Sequence, residues 1–390
     1  MSTVLELLAE ISKEQSARSE KKLVLEKKFE AYGKEIVIYG HGNLGCELCK
    51  GLENANWTVQ YFLDANQPTD LNRKNVNLKD AAKYLTPDAL IIVAIYNVYL
   101  EYSSIQRQLQ SMGFQNILSV LDLRVWPELF QTGHIHGTLS WDISHIPAEP
   151  VCEAYSLMED SLSQKTFLEL LRFFISDNEP TLTLCPAEMQ YMPALTYLPI
   201  AEERIIDCGA YNGDTMRAFY SETANWSSYI AIEPDPQNME KLAASIQADL
   251  PEALAKRTKT ICAAVSDVSG SITFCTKGNA ASHITEEAVD QISRVPVISL
   301  DEVIQEPVSL IKMDIEGFEL RALQGAERLI RANQPLLAIC GYHRQSDLWE
   351  IPLYMKKVLP NHRIYLRNYI GIIEYVFYAV PENRVISEKQ

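Results

Sequence analysis

"IIDCGAYNGDT", residues 205–215, runs an apolar pair into Asp207 and then into Gly209 and Gly213, with Asn212 between them. It reads as a strand that feeds a glycine turn and a helix, as at the start of a nucleotide-binding α/β unit. The chain holds a second turn of this kind. "IVIYGHGNLG" at 36–45 places Gly40, Gly42 and Gly45 in full G-x-G-x-x-G spacing, and Asp64 ends the next apolar run. With Gly209 set against Gly42, Asp207 stands where the upstream turn has its first glycine, Gly40.

Working outward from 205, apolar and amphipathic stretches alternate in both directions. "RIIDC", "SYIAIEP", "TKTICAAVS", "VSLIKMDIE" and "PLLAICGYH" read as strands, with helices around 214–222, 236–249, 317–332 and 346–359. The same alternation runs from about 35 to 123, through "EIVIYG", "TVQYFLDAN", "DALIIVAI" and "NILSVLDL". Strand and helix in alternation predict parallel sheets covered by helices, here two Rossmann-like α/β domains. The expected organisation is a helix over 1–33, a Rossmann-like nucleotide- or partner-binding domain over 34–124, a connector with one helix over 125–200, and a second domain over 201–390.

The chain end breaks the pattern. "HRIYLRNYI" and "EYVFYAVP" are consecutive strands with only a short turn at Gly371, so they pair antiparallel. A parallel sheet ending in an antiparallel hairpin is the layout of class I methyltransferases.

The chemistry of the 205–215 turn agrees. A carboxylate at Asp207 repels a pyrophosphate but accepts hydrogen bonds from a ligand ammonium. S-adenosylmethionine has an ammonium, no phosphate and a ribose diol. Gly209, Ala210, Asn212 and Gly213 form a turn whose glycines let backbone approach the ligand. Glu233, at the end of the next strand, suits the ribose hydroxyls. Asp267 fits the adenine edge and the capping of the turn before Gly270 equally well.

Several segments together resemble the FkbM family of S-adenosylmethionine-dependent methyltransferases: "IIDCGAYNGDT", "AIEPDPQNMEKL", "AAVSDVSGSITF", "VPVISLDEVI", "VSLIKMDIEGFELRALQGAERLI" and "ICGYHRQSDLWEIP". Their order and spacing resemble the family over about 205–381. The resemblance implies methyl transfer to a hydroxyl of a sugar, glycan or natural-product small molecule, with an additional N-terminal Rossmann-like unit like that of some members. Such transfer rests largely on holding the acceptor oxygen in line with the methyl, and a base or hydrogen-bond acceptor aids a hydroxyl. His343, at the end of "CGYH", is the expected base. Asp314 and Glu316 end the neighbouring strand as further catalytic candidates. Ser282 and His283, in a small-residue loop, are expected to meet substrate, as are Tyr365 and Arg367 in the last hairpin.

Composition sets the remaining bounds. The 390 residues suffice for two cores. A formal net charge of −16 argues against nucleic acid and anionic membranes as main partners. No run is long and apolar enough to span a bilayer, and the start lacks a signal-peptide core. The eight cysteines are scattered, several in apolar runs, which predicts reduced thiols and a cytoplasmic setting. Loop histidines 134, 136 and 145 have no ligand partners at metal spacing, so no metal is expected. The amphipathic start fits packing on its own chain or on a second copy in a homo-oligomer. Gly40, Gly42, Gly45 and Asp64 form the expected second nucleotide site. Two other readings stay open: an NAD-dependent oxidoreductase built on that turn, and a non-enzymatic nucleotide-binding scaffold.

Overall fold

The computed structural model describes residues 2–95, 102–130, 143–175, 182–192, 196–275, 283–284, 292–369 and 374–386. The chain divides into two compact units, one of residues 2–146 and 170–181, the other of residues 147–169 and 182–390. The stretch expected as a connector is thus shared between them rather than standing as a body of its own.

In the N-terminal unit, helices α1 (Ser2–Ala9) and α2 (Ile11–Tyr32) precede five strands. These are β1 (Ile36–Tyr39), β2 (Val59–Asp64), β3 (Asn75–Asn77), β4 (Leu90–Val93) and β5 (Ile117–Ser119). They form one parallel sheet in the order β3-β2-β1-β4-β5. β1 and β4 are buried along their whole length, as unbroken apolar runs in a helix-covered parallel sheet should be. Helix α3 (Asn43–Asn54) follows β1, and α4 (Tyr102–Ser111) lies between β4 and β5. Strand order reverses between β1 and β4, where open α/β sheets take ligands.

The C-terminal unit opens with helices α5 (Ala148–Ser156) and α6 (Ser161–Ile175), the second of which crosses the division between the units. Its main sheet is built from β6 (Arg204–Cys208), β7 (Ser228–Ile232) and β8 (Thr258–Ile261). β9 (Ala264–Val265), β10 (Gly270–Cys275), β11 (His283–Ile284) and β12 (Ile292–Ile298) form a separate four-stranded sheet. β13 (Leu310–Met313), β14 (Leu336–Cys340), β15 (Arg363–Asn368) and β16 (Tyr375–Val380) complete the main sheet, in the order β15-β16-β14-β13-β6-β7-β8. "TKTICAAVS", expected as one strand, is therefore two, in different sheets, with the break at Cys262 and Ala263.

β8, β7, β6, β13 and β14 run parallel. The expected antiparallel hairpin is present, but its second strand enters the sheet. β16 is antiparallel to both β14 and β15, which leaves β15 at the edge. β16 is buried along its whole length and β15 at every position but Arg363; the more charged "RIYLRN" takes the edge position. Strand order reverses between β6 and β13, and the turn after β6 leads into helix α7 (Asp214–Thr223). Helices α8 (Pro236–Asp249), α9 (Glu319–Gln324), α10 (Glu327–Asn333) and α11 (Asp347–Val358) follow β7, β13 and β14.

Candidate active site

The glycine turn sits where β6 ends beside β13. Gly209 has φ +79°, and a Cβ there would lie 1.8 Å from the Asp314 carbonyl oxygen, so only glycine lets the turn lie on the end of β13. The Gly209 and Ala210 amides donate to the Ile232 carbonyl, and the Asp314 amide to that of Cys208. Gly213, at φ +83°, starts α7. Its neighbour Asn212 is held by Arg217, whose guanidinium donates to both the Asn212 carbonyl and its side-chain oxygen.

Glu233 follows β7 and is 5% exposed. Its Oε2 accepts from the Tyr211 amide at 3.0 Å; its Oε1 accepts from the Asp235 amide and Asn238 Nδ2. Burial pushes its carboxyl up, against the pull of these donors. Of about four lone-pair sites on a carboxylate, three are taken, which leaves an acceptor position on Oε2. A ribose hydroxyl fits that acceptor. On the chemistry of its donors and acceptors the turn fits S-adenosylmethionine.

Asp207 corrects the sequence alignment. It lies inside β6, fully buried, and does not face a ligand. Its neighbour across the ladder is Lys312 of β13, whose Nζ is 3.0 Å from Oδ1, and the Tyr229 hydroxyl donates to Oδ2 at 2.7 Å. Lys312 also donates to the Gly209 carbonyl at 2.8 Å, so the ion pair clamps the turn from below. Burial pushes the Asp207 carboxyl up, while Lys312 and Tyr229 pull it down. Burial lowers Lys312, but Asp207 and then Asp314 outweigh it, and the ammonium keeps its proton. The true counterpart of Gly40 is Gly209. Each donates its amide to a carbonyl at the C-terminal end of the second strand, Leu63 or Ile232. Asp207 is thus the counterpart of Ile38.

Next to the turn, Asp314, Glu316 and His343 come together, as expected. Glu316 adopts a left-handed φ of +59°, uncommon for a residue with a Cβ, and Gly317 follows at +92°. Asp314 Oδ1 accepts from the Tyr342 hydroxyl at 2.9 Å and Oδ2 from the Tyr191 hydroxyl at 3.0 Å. Burial pushes Asp314 up, but Lys312, His343 and the two hydroxyls prevail and hold its carboxyl below the usual range.

His343 does not fit the role of a free base. Its Nε2 lies 3.3 Å from Glu316 Oε2 and 3.6 Å from Asp314 Oδ1, and its Nδ1 lies 2.9 Å from Glu319 Oε1. Burial lowers its pKa, yet the carboxylates of Glu319, Glu316 and Asp314 overcome this and push it up to about 10. At neutral pH the ring is an imidazolium among carboxylates and has no lone pair to take a proton.

Other candidates fall elsewhere. Asp267 follows β9, where its Oδ1 accepts from the Arg321 guanidinium and the Ser266 hydroxyl. Arg367 is buried and bound to Asp160, 2.5 Å from its Oδ2, and to Ser163 at 2.8 Å; Tyr365 is 7% exposed. These two belong to the packing of β15 rather than to a substrate surface. Ser282 lies outside the described residues, and His283 is described only as backbone in β11. Sequence reasoning missed Tyr191, Tyr342 and Glu319. Tyr342 and Glu319 had a signal, since they adjoin predicted residues in "GYH" and "EGFE". Tyr191 had none: it reaches Asp314 from a distant irregular segment, at φ +64°.

The upstream turn keeps the fingerprint geometry. Gly40 has φ +116°, and a Cβ on Gly45 would lie 1.9 Å from the Gly40 carbonyl oxygen, so α3 packs close on β1. Asp64 Oδ2 accepts from the His41 amide, and Oδ1 from the Asn66 and Gln67 amides. The His41 ring stacks on Phe62 at 4.0 Å, and its Nδ1 meets Asn75 Oδ1 at 3.1 Å.

Comparison with known proteins follows the site. Residues 207–368 match a family model described as the methyltransferase FkbM domain. The chain is similar to the crystal structure of methyltransferase FkbM from Methylobacillus flagellatus, at 19% identity and a TM-score of 0.72, over 96% of this chain and 100% of that one. That likeness shows the fold. An rRNA methylase from Streptococcus thermophilus matches at 14% identity over 47% of this chain and 89% of its own, with a TM-score of 0.31 that carries no argument. No curated protein matches the chain.

Proposed function

We propose that the chain, whose residues 207–368 match a methyltransferase FkbM domain, uses S-adenosylmethionine to methylate a hydroxyl oxygen of a sugar, glycan or natural-product small molecule. One observation carries the reading: Asp314, just past the end of β13, lies directly against the Gly209 turn, and His343 holds Glu316 beside it. An acceptor hydroxyl bound to these carboxylates lies beside the cofactor turn.

The cofactor supplies a methyl group already activated on a sulfonium. The turn over Gly209, Ala210, Asn212 and Gly213 holds it by backbone approach, and Glu233 accepts from the ribose. Asp314 and Glu316 accept the hydrogen of the incoming hydroxyl and fix the direction of its lone pair. His343 acts as a positioning residue, holding both carboxylates by its charge. Tyr191 and Tyr342 donate to Asp314 and set its orientation. Burial holds both hydroxyls protonated.

The N-terminal turn, with Gly40, Gly42, Gly45 and Asp64, is proposed to hold a nucleotide-bearing ligand. The close approach of Gly45 to Gly40 supports this. Among the described residues no helix is long and apolar enough to cross a membrane. Free thiols at Cys46, Cys49, Cys152, Cys185, Cys208, Cys262 and Cys340 favour a reducing compartment, the cytoplasm.

Calorimetric titration of the full chain with S-adenosylmethionine and with NAD(H), followed by label transfer from the methyl-labelled cofactor to sugars, nucleotide-sugars and small polyols, tests the proposal. Binding of S-adenosylmethionine and label on an acceptor oxygen are expected. A folded sample that binds NAD(H) and not S-adenosylmethionine, or that labels only nitrogen or carbon, overturns it.

A further inference from the structure

Around His343 the chain gathers more negative charge than one imidazole can balance. Asp314 and Glu316 face Nε2, and Glu319 faces Nδ1. Asp314, Glu319 and His343 each bring one ligating atom within 4.8 Å of the others. From these positions we propose that Asp314, Glu316 and His343 bind a divalent cation through Oδ1, Oε2 and Nε2, the ion displacing the Nε2 proton of the imidazolium to solvent, with Glu319 as the carboxylate that fixes the imidazole from behind.

Three observations carry this. The first is spacing. Atoms bound at about 2.1 Å to one cation stand about 3.0 Å apart at right angles and about 3.4 Å apart at the tetrahedral angle. Nε2 lies 3.3 Å from Glu316 Oε2 and 3.6 Å from Asp314 Oδ1, both within about 0.2 Å of the tetrahedral spacing.

The second is the arrangement behind the ring. A metal-binding histidine almost always turns its other nitrogen to a carboxylate or carbonyl, and Glu319, fully buried, stands 2.9 Å from Nδ1. The third is independent of charge. The His343 side chain is 5% exposed, and its Nδ1 and the Glu319 Oε2 are buried without a hydrogen bond among the described residues.

The ligand set of two carboxylates and one imidazole suits a hard divalent ion of the manganese type. Asp314 and Glu316 are each 26% exposed, which leaves coordination positions open to water or an acceptor oxygen. A cation there would polarise a hydroxyl bound to it. That role rests on the proposed acceptor position; the binding of the ion does not.

The test uses metal-stripped full-length protein titrated with Mn2+ and followed by electron paramagnetic resonance, with S-adenosylmethionine binding measured on the same samples. One Mn2+ per chain is expected. Glu316→Gln and His343→Gln should each weaken it by about 10- to 100-fold, and Glu319→Gln should weaken it less, by about tenfold. Circular dichroism and unaltered S-adenosylmethionine affinity report that the variants are folded. Absence of Mn2+ binding in a folded sample overturns the site, as does binding that Glu316→Gln and His343→Gln leave unchanged. Mn2+ binding without S-adenosylmethionine binding keeps the site and removes the methyltransferase reading; the reverse result does the opposite.

Discussion

The two glycine turns are built alike and founded differently. In each, a strand ends on a left-handed glycine, Gly40 or Gly209, and an acidic residue at the end of the second strand, Asp64 or Glu233, ties the turn through a backbone amide. Beneath the turn the resemblance stops. In the N-terminal unit Ile38 pairs with Ile92, two buried apolar side chains. In the C-terminal unit the same ladder position holds Asp207 against Lys312. An apolar foundation contributes packing alone. A buried ion pair costs desolvation, but its lysine reaches the turn's own carbonyl and fixes it beside the acidic end of β13.

The largest expected effect breaks that foundation. Lys312→Met leaves the buried Asp207 without its cation and should lose about 3–5 kcal/mol of stability. Replacing both, Asp207→Ile with Lys312→Ile, copies the N-terminal pair and should recover most of the loss. Urea unfolding of the full set measures both, and a Lys312→Met loss below about 1 kcal/mol would show that the pair is not what holds the turn.

The next effect separates the glycines. Gly209→Ala should lose more than the roughly 1–2 kcal/mol of left-handed backbone strain, because its Cβ also meets the Asp314 carbonyl. A Cβ on Gly42 meets nothing within 4 Å, so Gly42→Ala should cost about 1 kcal/mol or less. Equal melting temperatures for the two variants would erase the distinction.

The acidic residues that tie the turns come third. Glu233→Gln should weaken S-adenosylmethionine binding by about 1.5 kcal/mol, roughly tenfold, through one lost charge-assisted hydrogen bond. Asp64→Asn should leave that affinity unchanged, and calorimetry on both variants decides between the turns.

The smallest effect is a pH dependence confined to the C-terminal unit. Burial, with Asp314 adding to it, pushes Glu374 up to about 7 from 4.5. The folded chain then keeps a proton that the unfolded chain releases, so stability falls as pH rises from about 4.5 to about 7. Glu374→Gln should flatten that slope and make the chain more stable than the parent at pH 8; an unchanged slope in unfolding experiments between pH 4.5 and pH 8 counts against the assignment.

Much of this architecture is legible in the residues. "RIIDC" is the observed β6, and the closing strand pair appears as β15 and β16. Apolar runs bounded by glycine and proline leave few alternatives to buried parallel strands. The split of "TKTICAAVS" between two sheets was not legible, because a run of small and β-branched residues suits either sheet and partner strands decide. In the site, Asp314, Glu316 and His343 were legible as neighbours because each ends a central strand. Their states were not. Whether His343 is a base or a cation depends on Glu319, which follows Glu316 by three residues and returns beneath the ring only because α9 turns it there.

By itself the sequence determined two α/β units, the glycine turns and the acidic strand end, since these follow from local periodicity and from residues whose backbone freedom is their own. Tertiary structure alone decided that Asp207 faces Lys312 and not a ligand, that Arg367 is a buried partner of Asp160 and not a substrate contact, and that Tyr191 reaches Asp314. The reason is physical: the state of a charged or hydroxyl group is set by what lies within a few ångströms of it, and those neighbours come from strands and segments far away in the chain.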